Sequence, residues 1–318
     1  MSKSLKIALP QIAPVWLARD ATLNKIIGLI QTAAEEQADL IVFGEGVVPG
    51  YPFWPELTGG AIFNDDKQKH LFAHYSDQSV TIEDGHLNTV CAALRRAKMA
   101  CYLGIIERPR QRSGHSLYAS FVYIDKTGTI QSVHRKLQPT YEERLVWSPG
   151  DGAGLVTHRL GAFTVGGLNC WENWMPLSRA ALYAQGEDLH IACWPGNIRN
   201  TEDITRMIAK EGRGYCVSVS SLMRRSDIPS DIPFAEEIKG MMPEIAADGG
   251  SCIASPDGSW LLEPVTGKEY LSYATLDPAL VRKERQNFDP AGHYSRPDVT
   301  RLIVNRKRQA IAEFEEDE

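Results

Sequence analysis

The chain has 318 residues, a formal net charge of −6 and a pI near 5.8. Its 43% hydrophobic and 23% charged residues are ordinary for a globular protein with a substantial core, and the acidic balance argues against nucleic-acid binding. No apolar run approaches the roughly 18 residues that a membrane helix needs, and prolines interrupt the N-terminal apolar stretch that a signal peptide would require. We therefore expect a cytoplasmic protein that contacts neither nucleic acid nor membrane.

Strand and helix patterns alternate along the chain. Apolar runs predict strands over 5–10, 39–45, 101–107, 117–124, 129–134, 189–194 and 215–220, a strand that ends at Cys170, and two short strands around the turn 256–259. Apolar residues at helical spacing, with their end signals, predict helices over 20–38, 86–100, 176–185 and 202–211. This alternation predicts an α/β fold to which hairpins add antiparallel pairing.

No linker interrupts these patterns, so the sequence predicts a single domain over residues 1–312. We expect a C-terminal extension of this domain from about residue 289. Residues 313–318, acidic except for Phe314, are expected to form a frayed tail.

The six cysteines contain no CxxC pair, which favours reduced thiols over disulfides. His70 and His74 lie four residues apart and could share a helix face, but Leu71 follows the first histidine. The HExxH signature is therefore absent and no third ligand is evident, so we predict no metal site.

Cys170 stands where an apolar, strand-like run ends and a segment with a helical pattern begins. Backbone N–H groups and the positive end of a helix dipole at such a junction favour thiolate over thiol. A cysteine in an apolar run is nevertheless most often a small buried hydrophobe. Taken alone, the position leaves both a structural and a nucleophilic interpretation open.

Two upstream segments carry further candidate side chains. Glu45 ends the apolar run 39–45, where open α/β sheets place their ligands, and desolvation there raises the pKa of a carboxyl group toward that of a general base. Lys136 lies in the block 134–144, which follows a hairpin-like turn at 125–128. A lone glutamate or lysine at such a place is more often a surface charge, so each residue alone decides little.

In the order Glu45, Lys136, Cys170, the three segments resemble the nitrilase superfamily of carbon–nitrogen hydrolases. The sequence Cys-Trp-Glu-Asn at 170–173 and the block 134–144 resemble its nitrilase branch. Amidase and carbamoylase branches usually carry an aspartate-containing sequence after the cysteine in place of Trp-Glu.

A fourth block, 289–299, resembles the C-terminal segment of nitrilases, so the resemblance extends over nearly the whole chain. It implies a four-layer α-β-β-α sandwich, with two sheets face to face and helices outside. It also implies hydrolysis of an organic nitrile with two waters to a carboxylic acid and ammonia, without an organic cofactor or metal.

The resemblance assigns a role to each candidate. Cys170 is the nucleophile that forms a thioimidate, and Glu45 is the general base. Lys136 and the backbone N–H of Trp171 stabilise the developing negative charge as an oxyanion hole does. Glu143 matches the second glutamate of the family and positions Lys136 and the substrate.

Two neighbouring residues compete for these roles. Glu142 is adjacent to Glu143, but Glu143 directly precedes Arg144 as in the family motif, so we expect Glu142 to face solvent. Arg135 could replace Lys136 as the cation, but neighbouring strand residues point to opposite faces and the motif selects Lys136.

Aromatic and polar residues beside the catalytic strand ends are candidates for the wall of a substrate pocket. They are Tyr51, Trp54, Asn169, Trp174, Trp194 and Pro195. Aromatic walls suit aryl or arylalkyl nitriles, but core positions are an equally good interpretation, so the sequence does not choose between aliphatic and aromatic substrates.

Two alternatives to a nitrilase remain. The first is an amidase or cyanide-degrading hydrolase of the same superfamily, because breakdown of a thioimidate can release amide or acid. The second is a catalytically silent assembly protein of this fold. The resemblance further implies a homo-oligomer, a dimer or larger spiral, that pairs through the helices 176–185 and 202–211 with the apolar segment 299–304 across the partner.

Overall fold

The computed structural model describes residues 4–312 and contains two β-sheets with helices on their outer faces. The strands are β1 (Leu5–Gln11), β2 (Leu40–Val42), β3 (Ala100–Glu107), β4 (Tyr118–Ile124), β5 (Ile130–Arg135), β6 (His158–Leu160), β7 (Phe163–Asn169), β8 (Leu189–Trp194), β9 (Tyr215–Ser220), β10 (Leu222–Arg224), β11 (Ile245–Ala254), β12 (Trp260–Thr266) and β13 (Tyr270–Leu276). The α-helices are α1 (Arg19–Glu35), α2 (Trp54–Leu57), α3 (Asp66–Gln78), α4 (Asn88–Ala97), α5 (Pro176–Tyr183), α6 (Ile198–Gly212), α7 (Ala235–Met241) and α8 (Pro278–Glu284).

Each sheet has three parallel strands at its centre. The first sheet has the order β13-β1-β2-β3-β4-β5, and its β1, β2 and β3 are parallel. The second has the order β10-β11-β9-β8-β7-β6, with β12 paired to β11, and its β7, β8 and β9 are parallel. The remaining pairs are antiparallel.

Alternation along the strands builds the layers. Leu40 and Val42 of β2 pack with Ile191 of β8 in a cluster that draws residues from both sheets. Ile41, between them in sequence, packs on the other face against Ile26 of α1. The inner faces of the sheets therefore meet and the helices cover the outer faces, which confirms the predicted four-layer α-β-β-α sandwich.

Most predicted elements differ from the observed ones by only a few residues, and β8 and β9 have the predicted bounds. Helix α6 begins four residues earlier than predicted, because the Asn197 side chain accepts a hydrogen bond from the Arg199 N–H and caps the helix there. The predicted strand that leads to Glu45 is regular only over Leu40–Val42. The helix expected directly after the cysteine is a five-residue 3₁₀ helix, Cys170–Trp174, that precedes α5.

Sequence patterns did not predict β6, β10, β13, α2, α3, α7 or α8. From residue 289 to 312 the described chain is mostly exposed and contains no helix or strand, but it is tied to the sandwich where Arg308 pairs with Asp151 at 3.0 Å. The predicted acidic tail 313–318 lies outside the described residues, and the proposed domain boundaries stay a prediction. No helix among residues 4–312 is long and apolar enough to cross a membrane.

The carboxyl ends of β2, β7 and β8 lie together at one end of the sandwich, and the segment that carries Glu45 bridges the sheets there. The Glu45 N–H donates to the Trp194 carbonyl oxygen at 3.2 Å. Beneath this segment lies Gly104 of β3, where a Cβ atom would be only 2.0 Å from the Gly44 carbonyl oxygen. A glycine is therefore required for the Glu45 segment to lie directly on the first sheet.

We predict that Gly104→Ala lowers the free energy of unfolding by about 1–3 kcal/mol, because backbone atoms on the Glu45 segment must move. Gly28→Ala is the matched control: its added Cβ would have no neighbour within 4 Å, and it lies inside α1. There alanine raises the free energy by about 0.5–1 kcal/mol. Urea unfolding of both variants checks this, and an equal effect of the two substitutions would contradict the close packing at Gly104.

Candidate active site

Cys170, Glu45, Lys136 and Glu143 converge at this end of the sandwich, and each is at most 2% exposed. Lys136 Nζ lies 2.8 Å from Glu45 Oε1 and 2.7 Å from Glu143 Oε2. Carboxylate oxygens of both glutamates and the sulfur of Cys170 all lie within 4.8 Å of one another. Residues far apart in sequence thus form one compact group of a thiol, an ammonium and two carboxylates.

Glu143 is held by hydrogen bonds on both oxygens. It lies on the 3₁₀ helix Tyr141–Leu145, where its Oε2 accepts from the Thr140 N–H at 2.6 Å in a capping box. Its Oε1 accepts from the Tyr51 hydroxyl at 2.9 Å. Glu142 is half-buried and Glu143 is the one that reaches Lys136.

Strand alternation separates the two adjacent cations. Lys136 directly follows the end of β5 and turns toward Cys170. Arg135 instead forms a bidentate pair with Glu107, with both N···O distances 2.8 Å, and stacks on the Tyr118 ring. The arginine is therefore paired with Glu107 and Tyr118 on the other face of the strand.

Cys170 occupies a tight turn between β7 and the 3₁₀ helix. Its φ of +49° is a left-handed conformation that costs a residue other than glycine about 1–3 kcal/mol. Asn173 Nδ2 donates to the Cys170 carbonyl oxygen at 2.7 Å and to that of Leu168 at 3.3 Å, which secures the turn from below. The backbone N–H of Trp171 donates to the cysteine sulfur.

Burial and charge set the protonation of the group. Burial raises the pKa of the Glu45 carboxyl to about 7, against the attraction of Lys136. Burial alone would lower the pKa of Lys136, but Cys170, Glu45 and Glu143 raise it well above its usual value, so the ammonium persists. Near neutral pH the group therefore holds a permanent cation beside a carboxyl group able to exchange a proton.

The surroundings of Cys170 oppose the preference for thiolate that its place at a strand-to-helix junction indicated. Burial and the charge of Glu45 raise the pKa of Cys170 well above its usual value, and these outweigh Lys136 and the Trp171 N–H. The short 3₁₀ helix after the cysteine also provides far less dipole than the expected α-helix. At neutral pH the Cys170 sulfur therefore holds its proton, and a neighbouring base would be needed for the sulfur to act as a nucleophile.

Glu45, Glu143 and Cys170 offer donor atoms that a metal could use, but the ammonium of Lys136 already lies between the two carboxylates at contact distance. The positive charge of the site therefore comes from the chain itself. His74, one of the two histidines considered from the sequence, bonds through Nε2 to the Leu17 carbonyl oxygen at 3.1 Å.

A cavity of about 810 Å³ opens onto Cys170 and Glu143. Among the residues predicted to form its wall, Tyr51, Trp174 and Pro195 line it, together with Trp171. Its lining also includes Phe53, Glu56, Leu57, Thr140, Gly196, Asn197, Arg199, Asn200, Pro243 and Ala246. No sequence pattern distinguished these residues, although several follow Pro195 closely at a strand end.

Three predicted wall residues lie behind the wall instead. Trp54 packs edge-on against Tyr75 in the core. Trp194 is fully buried, and its indole N–H donates to the Ser218 hydroxyl at 3.1 Å. The side chain of Asn169 accepts from the Cys193 thiol at 3.0 Å and caps the 3₁₀ helix, so it supports the cysteine turn without facing the cavity.

Comparison with known proteins gives a consistent result. A family profile described as "Carbon-nitrogen hydrolase" matches residues 6–286. A nitrilase from Pseudomonas syringae pv. syringae is 36% identical over 96% of this chain and 91% of its own length. An aliphatic nitrilase from Rhodococcus rhodochrous is 33% identical over 98% of this chain and 82% of its own length. The structure of Nit3 from Saccharomyces cerevisiae, a member of branch 10 of the nitrilase superfamily, superposes with a TM-score of 0.69 at 19% identity, covering 92% of this chain and 97% of the other.

We predict that iodoacetamide alkylates Cys170 at a rate that rises through about pH 7. Below the pKa of Glu45 its carboxyl group is protonated and cannot take the thiol proton, whereas above that pKa the carboxylate can. Peptide mass spectrometry after timed labelling gives the rate, and Cys170→Ala identifies the signal. A rate that rises only above pH 9, as for a thiol ionising unaided, would contradict the coupling to Glu45.

Proposed function

Because the chain belongs to the nitrilase branch of the carbon–nitrogen hydrolase family, we propose that it is a nitrilase that converts an organic nitrile and two waters to a carboxylic acid and ammonia. The observation that carries this proposal is the position of Cys170 on the cavity, beside one buried ammonium held between two buried carboxylates. We place the enzyme in the cytoplasm, where its six free cysteines would stay reduced.

In the first half of the reaction, Glu45 takes the proton of the Cys170 thiol as the sulfur adds to the nitrile carbon. The carbon–nitrogen triple bond becomes a double bond, and the nitrogen receives a proton, which gives a thioimidate. A carboxyl group with a pKa near 7 suits both proton transfers, because it can accept and return a proton close to neutral pH.

In the second half, Glu45 takes a proton from water, which adds to the thioimidate carbon. Departure of ammonia leaves an acyl group on Cys170. A second water, activated by the same carboxylate, releases the carboxylic acid and restores the thiol. Glu45 thus serves each proton transfer from a single position, consistent with its complete burial beside the sulfur.

Lys136 and the Trp171 N–H stabilise the negative charge that develops on the nitrile nitrogen and later on the oxygen of the tetrahedral intermediate. A preorganised donor of this kind typically contributes about 2.7–4 kcal/mol. Glu143 holds the ammonium in place, and Tyr51 fixes Glu143 in turn. Lys136 is therefore already oriented before the substrate enters, without reorganisation during the reaction.

The same chemistry defines the alternative functions. If the thiol leaves the tetrahedral intermediate before ammonia does, an amide is released, and an amide or cyanide could enter the same cycle. The exposed rings of Trp171 and Trp174 and the half-buried Tyr51 line a cavity wide enough for an aryl or an alkyl nitrile. The proposal therefore specifies organic nitriles as the substrate class.

We predict that the purified protein releases ammonia from members of a panel of benzonitrile, phenylacetonitrile, mandelonitrile and aliphatic dinitriles. Amides and cyanide are assayed beside them. Cys170→Ala should lower kcat by at least about 10⁴-fold while it leaves the fold intact, because the nucleophile is lost.

Cys101→Ala is the matched control. Its thiol is completely buried on β3, in the cluster between the first sheet and its helices, and its loss should affect stability alone. Activity on amides or cyanide without nitrile hydrolysis would favour the alternative hydrolase. No turnover of any compound would favour the silent assembly protein.

We further propose that the enzyme is a homo-oligomer. Helix α5 begins with the exposed apolar residues Pro176 and Leu177, the latter 69% exposed, next to the active-site turn. In the C-terminal extension Val299 and Ile303 are 68% and 82% exposed. Apolar surface of this extent on two neighbouring segments supports burial against another copy of the chain.

We predict that light scattering gives a mass at least twice that of the 35.3 kDa chain. Ile303→Asp should lower this mass and the activity together if the extension links subunits, because a charge would be buried at the interface. A fully active monomer near 35 kDa would contradict the proposal.

A further inference from the structure

Glu172 is a buried carboxylate that lies two residues after Cys170 and does not line the cavity. Burial alone would raise its pKa, but His134 and the backbone N–H groups that donate to it lower the pKa below its usual value. It is therefore ionised at neutral pH, although no step of the proposed reaction uses it. A buried charge of this kind needs a structural or functional reason.

Its hydrogen bonds join two segments that are distant in sequence. Glu172 Oε2 accepts from His134 Nε2 and from the Asn169 N–H, both at 2.9 Å. Glu172 Oε1 accepts from the Leu137 N–H. Two donors thus flank Lys136 at the end of β5 in the first sheet, and the third directly precedes Cys170 at the end of β7 in the second sheet.

We propose that Glu172 is a positioning residue that fixes Lys136 relative to Cys170 by hydrogen-bonding both segments at once. The carboxylate acts as a strut between the sheets behind the reacting atoms. Leu137, directly after Lys136, and Asn169, directly before Cys170, are both held through their backbone N–H groups, so the distance between the ammonium and the sulfur is fixed. The inference rests on the proposed function for one point only, the importance for catalysis of the distance between the Lys136 ammonium and the Cys170 sulfur.

The hydrogen-bond pattern requires a carboxylate. Both oxygens of Glu172 accept, so glutamine would keep one acceptor and place its N–H₂ group against a backbone N–H. One of the two segments would then lose its backbone hydrogen bond to this side chain. Aspartate keeps both acceptors on a side chain one methylene shorter. His134 cannot easily shift to compensate, because the Gly154 backbone packs so closely on it that a Cβ there would be 2.2 Å from the His134 Cα.

The experiment compares Glu172→Gln and Glu172→Asp with the control Asp151→Asn. Asp151 is also a buried carboxylate that accepts from two backbone N–H groups and one side chain, those of Ala153, Gln309 and Arg308. It ties the C-terminal extension to the sandwich and bonds to neither catalytic segment through its side chain. The control therefore reproduces the loss of a buried acceptor without loosening the strut.

For Glu172→Gln we expect kcat to fall about 100-fold, the cost typical of a displacement near 1 Å, with KM within about threefold of wild type. The acid limb of the pH profile should move to higher pH, because Lys136 at 2.8 Å lowers the pKa of Glu45 and would be held less firmly against it. Two other titratable groups face Glu45. The charge of Glu143 raises its pKa and the hydrogen bond with Cys170 lowers it, and both effects should be the same in the variant as in the wild type.

For Glu172→Asp we expect kcat to fall by only about tenfold, and the acid limb of the pH profile to move less far to higher pH. A role in packing alone predicts the reverse order, since glutamine matches glutamate in shape and aspartate does not. If the glutamine variant does not fold, the aspartate variant decides, and an unshifted acid limb in it would overturn the proposal. The proposal would also be overturned if folded Glu172→Gln kept the kcat and the acid limb of the wild type. The same holds if the acid limb of Asp151→Asn moved as far as that of the Glu172 variants.

Iodoacetamide labelling of Cys170 across pH provides a readout that needs no nitrile turnover. If the wild type hydrolyses no nitrile, the proposed function fails. The strut is then still tested, because the inflection near pH 7 should move upward in both Glu172 variants and stay in place in Asp151→Asn. An unmoved inflection in both Glu172 variants would overturn the strut even where the nitrilase activity is confirmed.

Discussion

A single buried ammonium held by two buried carboxylates is the interaction on which the site depends. Lys136 lies within 2.8 Å of both Glu45 and Glu143, and all three are almost completely withdrawn from water. One cation cannot fully compensate two carboxylates in such surroundings, so one of them holds a proton more tightly than usual. That carboxyl group is Glu45, whose raised pKa makes it a base near neutral pH, while loss of Lys136 would leave two buried charges unpaired.

The sandwich brings these groups together because its two sheets place their strand ends at one edge. Glu45 follows β2 and Cys170 follows β7. Lys136 follows β5, which runs in the same direction as β2 and β3 because two antiparallel pairings separate it from β3. The Glu45 segment bonds to the end of β8 across the two sheets, and Glu172 joins the Lys136 segment to the Cys170 segment. The positions of the proposed catalytic side chains therefore depend on how the two sheets stack. Buried hydrogen bonds between the strand ends, such as those of Glu172, hold these positions.

Apolar periodicity predicted an α/β fold, and the family resemblance, carried by local motifs such as Cys-Trp-Glu-Asn, implied the four layers and the convergence of four side chains. The sequence did not predict what depends on three-dimensional surroundings. The place of Cys170 at a strand-to-helix junction indicated a preference for thiolate, yet burial and the charge of Glu45 raise the pKa of its thiol well above the usual value. Trp54 and Trp194 carry no local mark that separates a cavity wall from a core, and only the packing of the sheets shows that they lie behind it. The role of the two acceptor oxygens of Glu172 likewise depends on the ends of β5 and β7 meeting across the two sheets.

The most direct test of the account is the mass of the protein quenched within one turnover of a nitrile substrate. The wild type should show a burst of an adduct on Cys170 with the mass of the substrate, and Glu143→Gln should retain a measurable part of it because its base is intact. Glu45→Gln should show no burst, since the buried thiol then has no acceptor for its proton. An equal burst in the wild type and Glu45→Gln would show that the base is not Glu45 and would contradict the central claim.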